Sequence, residues 1–179
     1  MKFADADGNI INVYQQLNNV YDQQYMEHKD QDGYFLAFKG LMDRSIDDGV
    51  YSTISVRAHN NEYFFSKIPL MKMLDYANAK HIPVWTELQL LNFLKARDES
   101  EFRNVQFQNN QLSFTFHSSY QTDAKITAMI PLLFNGKKIQ QMDIDGNPGK
   151  YFLQNVKGVE YAFVPLTTGT SKQITVTYK

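Results

Sequence analysis

The histidine at position 59 stands where a β-prone run of residues ends, and this position suits a side chain that transfers protons. The run 51–56 is rich in β-branched residues, and the sequence Arg57-Ala58-His59 follows it. In α/β folds the functional side chains collect just beyond the carboxyl ends of strands. His59 is therefore the candidate catalytic residue. The alternative is a structural role, in which its ring caps the strand or bonds to loop backbone.

Other kinds of catalytic or metal site find little support in the sequence. The chain has no cysteine, which excludes disulfides, thiolate zinc sites and cysteine nucleophiles. The histidines other than His59 are His28, His81 and His117, and no two of the four lie within one helical turn. The nucleophile-elbow, dinucleotide-binding and P-loop motifs do not occur. The sequence therefore predicts no cofactor, and no transition metal held by this chain alone.

Two similar acidic segments resemble the start of a calcium-binding loop. They read "DADGN" at 5–9 and "DIDGN" at 143–147. An EF-hand loop also needs glycine at its sixth position and glutamate at its twelfth, and neither segment has them. The more economical interpretation is two Asp-Gly turns.

Length and charge restrict the class of protein. The 179 residues can form one large domain or two small ones, and the net charge of −1 predicts no general attraction to nucleic acid. No apolar run is long enough for a membrane span. The first residues are acidic and do not form a signal peptide, so the signal of a secreted protein would have been removed or would lie on a longer parent chain.

The elements that would position His59 lie in residues 1–99, which predict an α/β segment. A helix is expected over the apolar positions from Phe35 to Ile46, with Gly49 as its C-terminal cap. Ser66 is expected to cap a second helix that has Pro69 in its first turn. A short strand is expected at 82–86, and Thr86 is expected to cap a third helix. Helices that alternate with strands are typical of βαβ units on a parallel sheet.

Residues 100–179 predict an all-β domain, specifically a β-sandwich. Strand-like segments alternate with turn signals, among them Asn109-Asn110 and Asn135-Gly136. Four aromatic residues of this domain could form a sugar-stacking face or belong to the core; they are Tyr120, Tyr151, Phe152 and Tyr161.

The segment from Gly49 to Leu94 resembles the end of the polysaccharide deacetylase family, the carbohydrate esterases of the nodulation-deacetylase type. The similar stretches are "YSTISVRAH", "IPLMKMLDYANAKHI", "PVW" and "TELQLLNFL". The resemblance implies part of a distorted (β/α) barrel with a divalent metal, usually zinc. It also implies that a histidine on a late strand protonates the leaving group, and that role falls on His59. The family's early Asp-Asp and HxxxH motifs are missing, and Arg57 stands where the family has an apolar residue.

The resemblance leads to one main expectation and to alternatives. The main one is the C-terminal portion of a secreted carbohydrate-active hydrolase, extracellular or at the cell surface, which is inactive alone because the metal ligands are missing. The first alternative is a non-catalytic module that binds polysaccharide or cell-wall glycan. The second is a purely structural surface module.

Overall fold

A computed structural model of the chain describes residues 2–14, 17–47 and 52–179. The chain divides into two compact units, Met1–Val84 and Trp85–Lys179. Helices and strands are mixed in the first unit, and the second is rich in strands, so the coarse expectation of an α/β part followed by a β-rich part is met. None of the helices in the described ranges is long and apolar enough to cross a membrane.

The described residues of the first unit form two small sheets and three helices. Its elements are β1 (Lys2–Ala4), β2 (Ile10–Tyr14), β3 (Val20–Tyr21), α1 (Gln23–Met26), α2 (Gln31–Asp47), β4 (Val56–Arg57) and α3 (Tyr63–Ala79). A 3₁₀ turn at Asn60–Glu62 leads into α3. Strands β1 and β2 form an antiparallel hairpin, and β3 and β4 form a parallel pair.

The core of the first unit lies between its two long helices and the parallel pair. The buried apolar residues of this cluster are Val20, Tyr34, Phe38, Met42 and Met73. Helix α2 begins where the Asp30 carboxylate accepts a hydrogen bond from the Gly33 N–H at 2.8 Å, which is the usual chemistry of an N-cap. The apolar spacing of this helix was predicted correctly, while the expected cap at Gly49 lies outside the described residues.

Three local predictions for this region were wrong or only partly right. Ser66 is not the N-cap of α3, because the helix already begins at Tyr63, and Ser66 is buried inside it. Pro69 consequently lies beyond the first turn. The expected strand at 82–86 does not form; Val84 is exposed there. The strand expected from Tyr51 is assigned only at Val56–Arg57, and Tyr51 itself lies outside the described residues.

The second unit begins with one helix, and all its later elements are strands. Its elements are α4 (Glu87–Asp98), β5 (Ser100–Gln108), β6 (Gln111–Ser118), β7 (Ile126–Pro131), β8 (Leu133–Phe134), β9 (Lys137–Ile144), β10 (Asn147–Pro148), β11 (Phe152–Val156), β12 (Val159–Leu166) and β13 (Ser171–Tyr178). The larger sheet has the order β10-β9-β13-β6-β5, with β8 paired to β9, and the smaller sheet has the order β11-β12-β7. All of these pairs are antiparallel.

Both sheets of the second unit contribute to one cluster of buried residues. Ile174 and Val176 of β13 are fully buried, as are Ala162 and Val164 of β12. Along β13 the buried residues alternate with less buried neighbours, which follows the two-residue period of a strand. The predicted hairpins are present: Asn109 and Asn110 have positive φ between β5 and β6, and the Asn135-Gly136 turn joins β8 to β9.

Helix α4 belongs to the second unit. Ala96 of this helix is fully buried and is a member of the cluster to which both sheets contribute, and Phe93 packs against that cluster. The units therefore divide between Val84 and Trp85, whereas the sequence led us to expect a division between residues 99 and 100. The change from helix to strands does occur at Ser100.

Candidate functional site

His59 is paired with a buried aspartate at the carboxyl ends of two parallel strands. Asp22 follows β3 directly, and His59 follows β4 by two residues. The Nδ1 atom of His59 lies 2.7 Å from Oδ1 of Asp22, and the His59 backbone N–H donates to Oδ2 of the same carboxylate at 2.7 Å. Asp22 is fully buried, whereas 29% of the His59 side chain is exposed. The imidazole is therefore anchored on its inner side and accessible on its outer side.

The carboxylate fixes which nitrogen of the ring carries the proton. An ionised carboxylate can only accept hydrogen bonds, so Nδ1 of His59 must be the donor. Nε2 has no hydrogen-bond partner among the described residues. Nε2 is thus the nitrogen that can exchange a proton with a ligand. When it gains a proton, the positive charge of the ring lies beside the carboxylate of Asp22.

The ionised state of Asp22 is maintained by its hydrogen bonds. Burial is the largest influence and by itself would raise the pKa of this carboxyl group. It is outweighed by hydrogen bonds from the His59 backbone, the His59 ring and the Ser66 hydroxyl, together with the attraction of the imidazole, so the pKa of Asp22 lies below its ordinary value of 3.8. A buried carboxylate with three donors is charged at neutral pH.

Ser66 and Tyr34 hold the two sides of this pair in place. The fully buried Ser66 hydroxyl donates to Oδ2 of Asp22 at 2.9 Å. The hydroxyl of Tyr34, also fully buried, donates to the carbonyl of Arg57 at 2.7 Å, and the Asp22 N–H donates to the same carbonyl at 3.2 Å. Two donors therefore hold the last carbonyl of β4, two residues before His59.

A proline in α3 leaves one backbone carbonyl of the helix available for a hydrogen bond from α2. Pro69 has no N–H, so it cannot bond to the carbonyl of Phe65 one turn earlier. The side-chain amide of Gln31 donates to that carbonyl at 2.7 Å. The first turn of α3, which carries Ser66, is thus tied to the start of α2.

The other histidines do not join this site. His28 is exposed. His81 has a φ of 56° and lies exposed just after the C-cap of α3, and the ring of His117 bonds to the Ser171 hydroxyl at 2.8 Å. Among the described residues, no group of three or more His, Cys, Asp or Glu side chains is placed to hold a metal ion. The described residues therefore do not fit the divalent metal that the family resemblance implies.

The carboxylates of the two acidic turns bond to the chain itself. Oδ1 of Asp5 accepts hydrogen bonds from the N–H groups of Asp7 and Asn9, at 3.0 and 2.8 Å. Asp145 accepts hydrogen bonds from the Gln173 N–H at 2.9 Å and from Lys172 at 2.8 Å. These contacts agree with the interpretation as Asp-Gly turns.

The sequence analysis placed His59 at a strand end but missed its partners. Asp22 stands in the polar stretch 19–33, which gave no clear periodicity. The available signal was the pair Val20-Tyr21 directly before an aspartate, the same strand-then-polar pattern that singled out His59. Ser66 was assigned to a helix cap instead.

Comparisons with known proteins add nothing to this geometry. No family profile, no curated protein and no solved structure matches the chain. The case for a function therefore depends on the residues and contacts described above.

Proposed function

We propose that Asp22 and His59 form the proton-transfer pair of a carbohydrate ester hydrolase of the polysaccharide-deacetylase type. In this proposal Nε2 of His59 protonates the leaving group, and Asp22 orients the ring and stabilises its positive charge. The observation that carries the proposal is the contact of 2.7 Å between His59 Nδ1 and a fully buried carboxylate, combined with a partly exposed ring. A positioned acid of this kind contributes roughly 10²- to 10⁴-fold to a reaction rate.

The proposal assigns only the proton transfer to the described residues. They do not form a metal site, so the group that activates water would come from elsewhere in a longer, secreted or surface-attached parent protein. The order β3, α2, β4, α3 is the kind of unit from which (β/α) barrels are built. We infer that the first unit contributes such a segment to the parent's barrel.

Mutation of His59 in the full-length protein tests the proposal. The measurement is acetate release from acetylated chito- and xylo-oligosaccharides by the wild type, His59→Ala and His28→Ala. His28 is an exposed histidine that makes no hydrogen bond to Asp22 or His59, and it serves as the matched control. We expect turnover to fall by roughly 10²- to 10⁴-fold in His59→Ala and to stay unchanged in His28→Ala.

A structural role for His59 gives a different result. The variant would then have a lower melting temperature, and its activity per folded molecule would equal that of the wild type. Circular dichroism melting of each variant, with activity normalised to folded protein, separates the two roles. Unchanged specific activity would remove His59 from the catalytic site.

A second candidate function is glycan binding by the second unit, which we infer to be a two-layer β-sandwich. Tyr151 and Phe152, at the start of the edge strand β11, are both exposed, as a sugar-stacking surface requires. Tyr120 is unsuited, because its ring packs on the core and its hydroxyl donates to Asn92 at 3.2 Å. Retention of the chain on insoluble chitin or xylan, lost in Phe152→Ala, would support this function. Passage without retention would contradict it.

A further inference from the structure

We propose that the surface beside His59 binds an anionic sugar, with Arg57 contacting the negative charge and Tyr63 and Phe64 stacking on the sugar ring. This inference names the substrate class of the proposed hydrolase and rests on that proposed function. We call the set Arg57, Tyr63, Phe64 and Lys67 the anion-binding rim.

Arg57 is placed to share a ligand with His59. It is the last residue of β4, and His59 continues the chain in extended conformation with φ −87° and ψ 136°. Side chains two residues apart in an extended chain point to the same side. Arg57 is exposed, and its guanidinium has no hydrogen-bond or ion-pair partner within the ranges the structure describes. It is therefore available for a ligand.

The backbone at Arg57 is held firmly, in contrast to its side chain. Its carbonyl accepts hydrogen bonds from the Tyr34 hydroxyl and from the Asp22 N–H. A guanidinium presents a planar pair of N–H donors that matches a carboxylate. The chain thus anchors a carboxylate-binding group two residues before its proposed proton donor.

Two aromatic rings are exposed on the other side of His59 along the chain. Phe64 is 92% exposed and Tyr63 is 52% exposed. Their ring centroids lie 6.3 Å apart with the planes inclined at 63°. Both residues begin α3 directly after the short 3₁₀ turn that follows His59. Phe64 buries little of its surface in the fold, so its ring in the first turn of α3 is available to stack on a ligand.

The charges near these rings favour an anionic ligand over a neutral one. The Nζ atom of Lys67 lies 5.8 Å from the centroid of the Tyr63 ring and adds a second positive charge to the surface. Glu62 of the 3₁₀ turn contributes one negative charge, and its carboxylate accepts a hydrogen bond from the Asn61 amide at 3.2 Å; the two cations Arg57 and Lys67 outnumber it. A sugar that bears a carboxylate, such as a uronic acid, can form an ion pair with these cations and stack on the rings.

Calorimetric titration of the intact chain with a galacturonate oligosaccharide tests the rim. The uncharged galactose oligosaccharide of the same length and a sulfated one are the ligand controls, and the sulfated arm distinguishes carboxylate recognition from general anion binding. We expect the galacturonate to bind and the uncharged sugar to bind at least tenfold more weakly. Arg57→Gln should weaken galacturonate binding by roughly ten- to a hundredfold, the usual effect of losing a charge-assisted bidentate contact.

Matched variants exclude general effects on fold and charge. Arg44→Gln removes an exposed arginine from α2, and Leu36→Ala removes an exposed apolar side chain from the same helix; both should bind as the wild type does. Phe64→Ala should weaken binding by roughly threefold to tenfold. Melting curves of all variants show whether each one is folded.

Several results would overturn the inference. They are no binding by the wild type, equal binding of charged and uncharged sugars, or unchanged binding by Arg57→Gln. Concentration-dependent self-association that Phe64→Ala abolishes would assign the rings to a second copy of the chain instead. The two proposals fail separately, because Arg57→Gln and Phe64→Ala report on galacturonate binding by the intact chain, whereas His59→Ala reports on acetate release by the full-length protein. Loss of the binding effects with acetate release still dependent on His59 overturns the rim alone, and unchanged acetate release in His59→Ala overturns the hydrolase proposal.

Discussion

Oδ1 of Asp22 lies 2.7 Å from Nδ1 of His59, although the two residues are 37 positions apart in the chain. The same carboxylate also accepts hydrogen bonds from the backbone of His59 and from the hydroxyl of Ser66. One buried carboxylate therefore receives three donors from two different parts of the first unit, and this arrangement leads to testable consequences.

Asp22→Asn should reverse the tautomer of His59. The amide oxygen of Asn must face the His59 backbone N–H, which can only donate, so the NH₂ group must face Nδ1. The ring then accepts at Nδ1 and carries its proton on Nε2. The ¹⁵N chemical shifts of the imidazole, measured by NMR on both proteins at a pH where the ring is neutral, report the proton position directly. Identical shifts in wild type and variant would contradict the inferred wild-type tautomer.

The stability that Asp22 provides should be lost in acid. Its pKa is lowered in the folded protein, so its contribution is present above its ordinary value of 3.8 and disappears as the pH falls through the folded-state value. Urea unfolding of wild type and Asp22→Asn between pH 7 and pH 2 measures the difference. We expect the two free energies of unfolding to converge as the pH falls below about 4. A difference that is independent of pH would show that Asp22 is not charged in the folded state.

Tyr34→Phe should lower the free energy of unfolding at neutral pH. It should also make that free energy fall less steeply as the pH becomes alkaline. The change removes the hydrogen bond to the Arg57 carbonyl, at a cost of about 1 kcal/mol. Burial, followed by the negative charge of Asp22, raises the pKa of Tyr34 above 10.0. The folded state therefore keeps this phenol neutral, and the stability that results begins to be lost as the pH rises above the ordinary value of 10.0 and is fully lost at the folded-state value.

The alkaline measurement needs the variant for comparison. Burial also raises the pKa of Tyr178 in the second unit, so the wild type alone would not identify the responsible residue. Free energies of unfolding for wild type and Tyr34→Phe between pH 8 and pH 11 should converge towards the upper end. Parallel curves over this range would assign the alkaline loss to other groups.

Gln31 and Pro69 should show coupled effects on stability. Gln31→Ala leaves the Phe65 carbonyl without a donor and should cost about 1 kcal/mol. In Pro69→Ala the helix recovers its own N–H for that carbonyl, so the same Gln31 change should cost less in that background. A double-mutant cycle by urea unfolding measures the coupling. Additive effects would mean that the Gln31 contact does not compensate for the proline.

Thr86→Ala should destabilise the second unit by about 1 kcal/mol. The Thr86 hydroxyl accepts from the Gln89 N–H at 3.2 Å, and the Gln89 side chain accepts from the Thr86 N–H at 2.7 Å. Trp85 is the single tryptophan and packs edge-on to Phe93 at 5.5 Å, so its fluorescence follows the unfolding of α4. Thr115→Ala, on a strand of the same unit, is the comparison. An unchanged midpoint in Thr86→Ala would show that the cap contributes nothing.

Features determined by neighbouring residues were predictable from the sequence. The capping box at Thr86 and the Asn135-Gly136 turn each depend on a few adjacent positions. The partnership of Asp22 with His59 depends on the parallel pairing of two-residue strands, which no local pattern specifies. Ser66 was misassigned because the hydroxyl chemistry that suits an N-cap equally suits a bond to a buried carboxylate. The run 82–86 has β-prone residues but no partner strand among the described residues, so it remains irregular.

The parallel pair β3–β4 is only two residues long on each strand, so its backbone ladder alone provides few hydrogen bonds. Asp22, through its carboxylate and its N–H, supplies much of what joins these strand ends. Folding therefore needs Asp22 whether or not the Asp–His pair transfers protons. The presence of the Asp–His pair in a homologue would therefore be a poor indicator of enzymatic activity. Arg57 is more informative, because its guanidinium makes no hydrogen bond or ion pair with the described part of the chain, and its conservation would accord with the proposed anionic ligand.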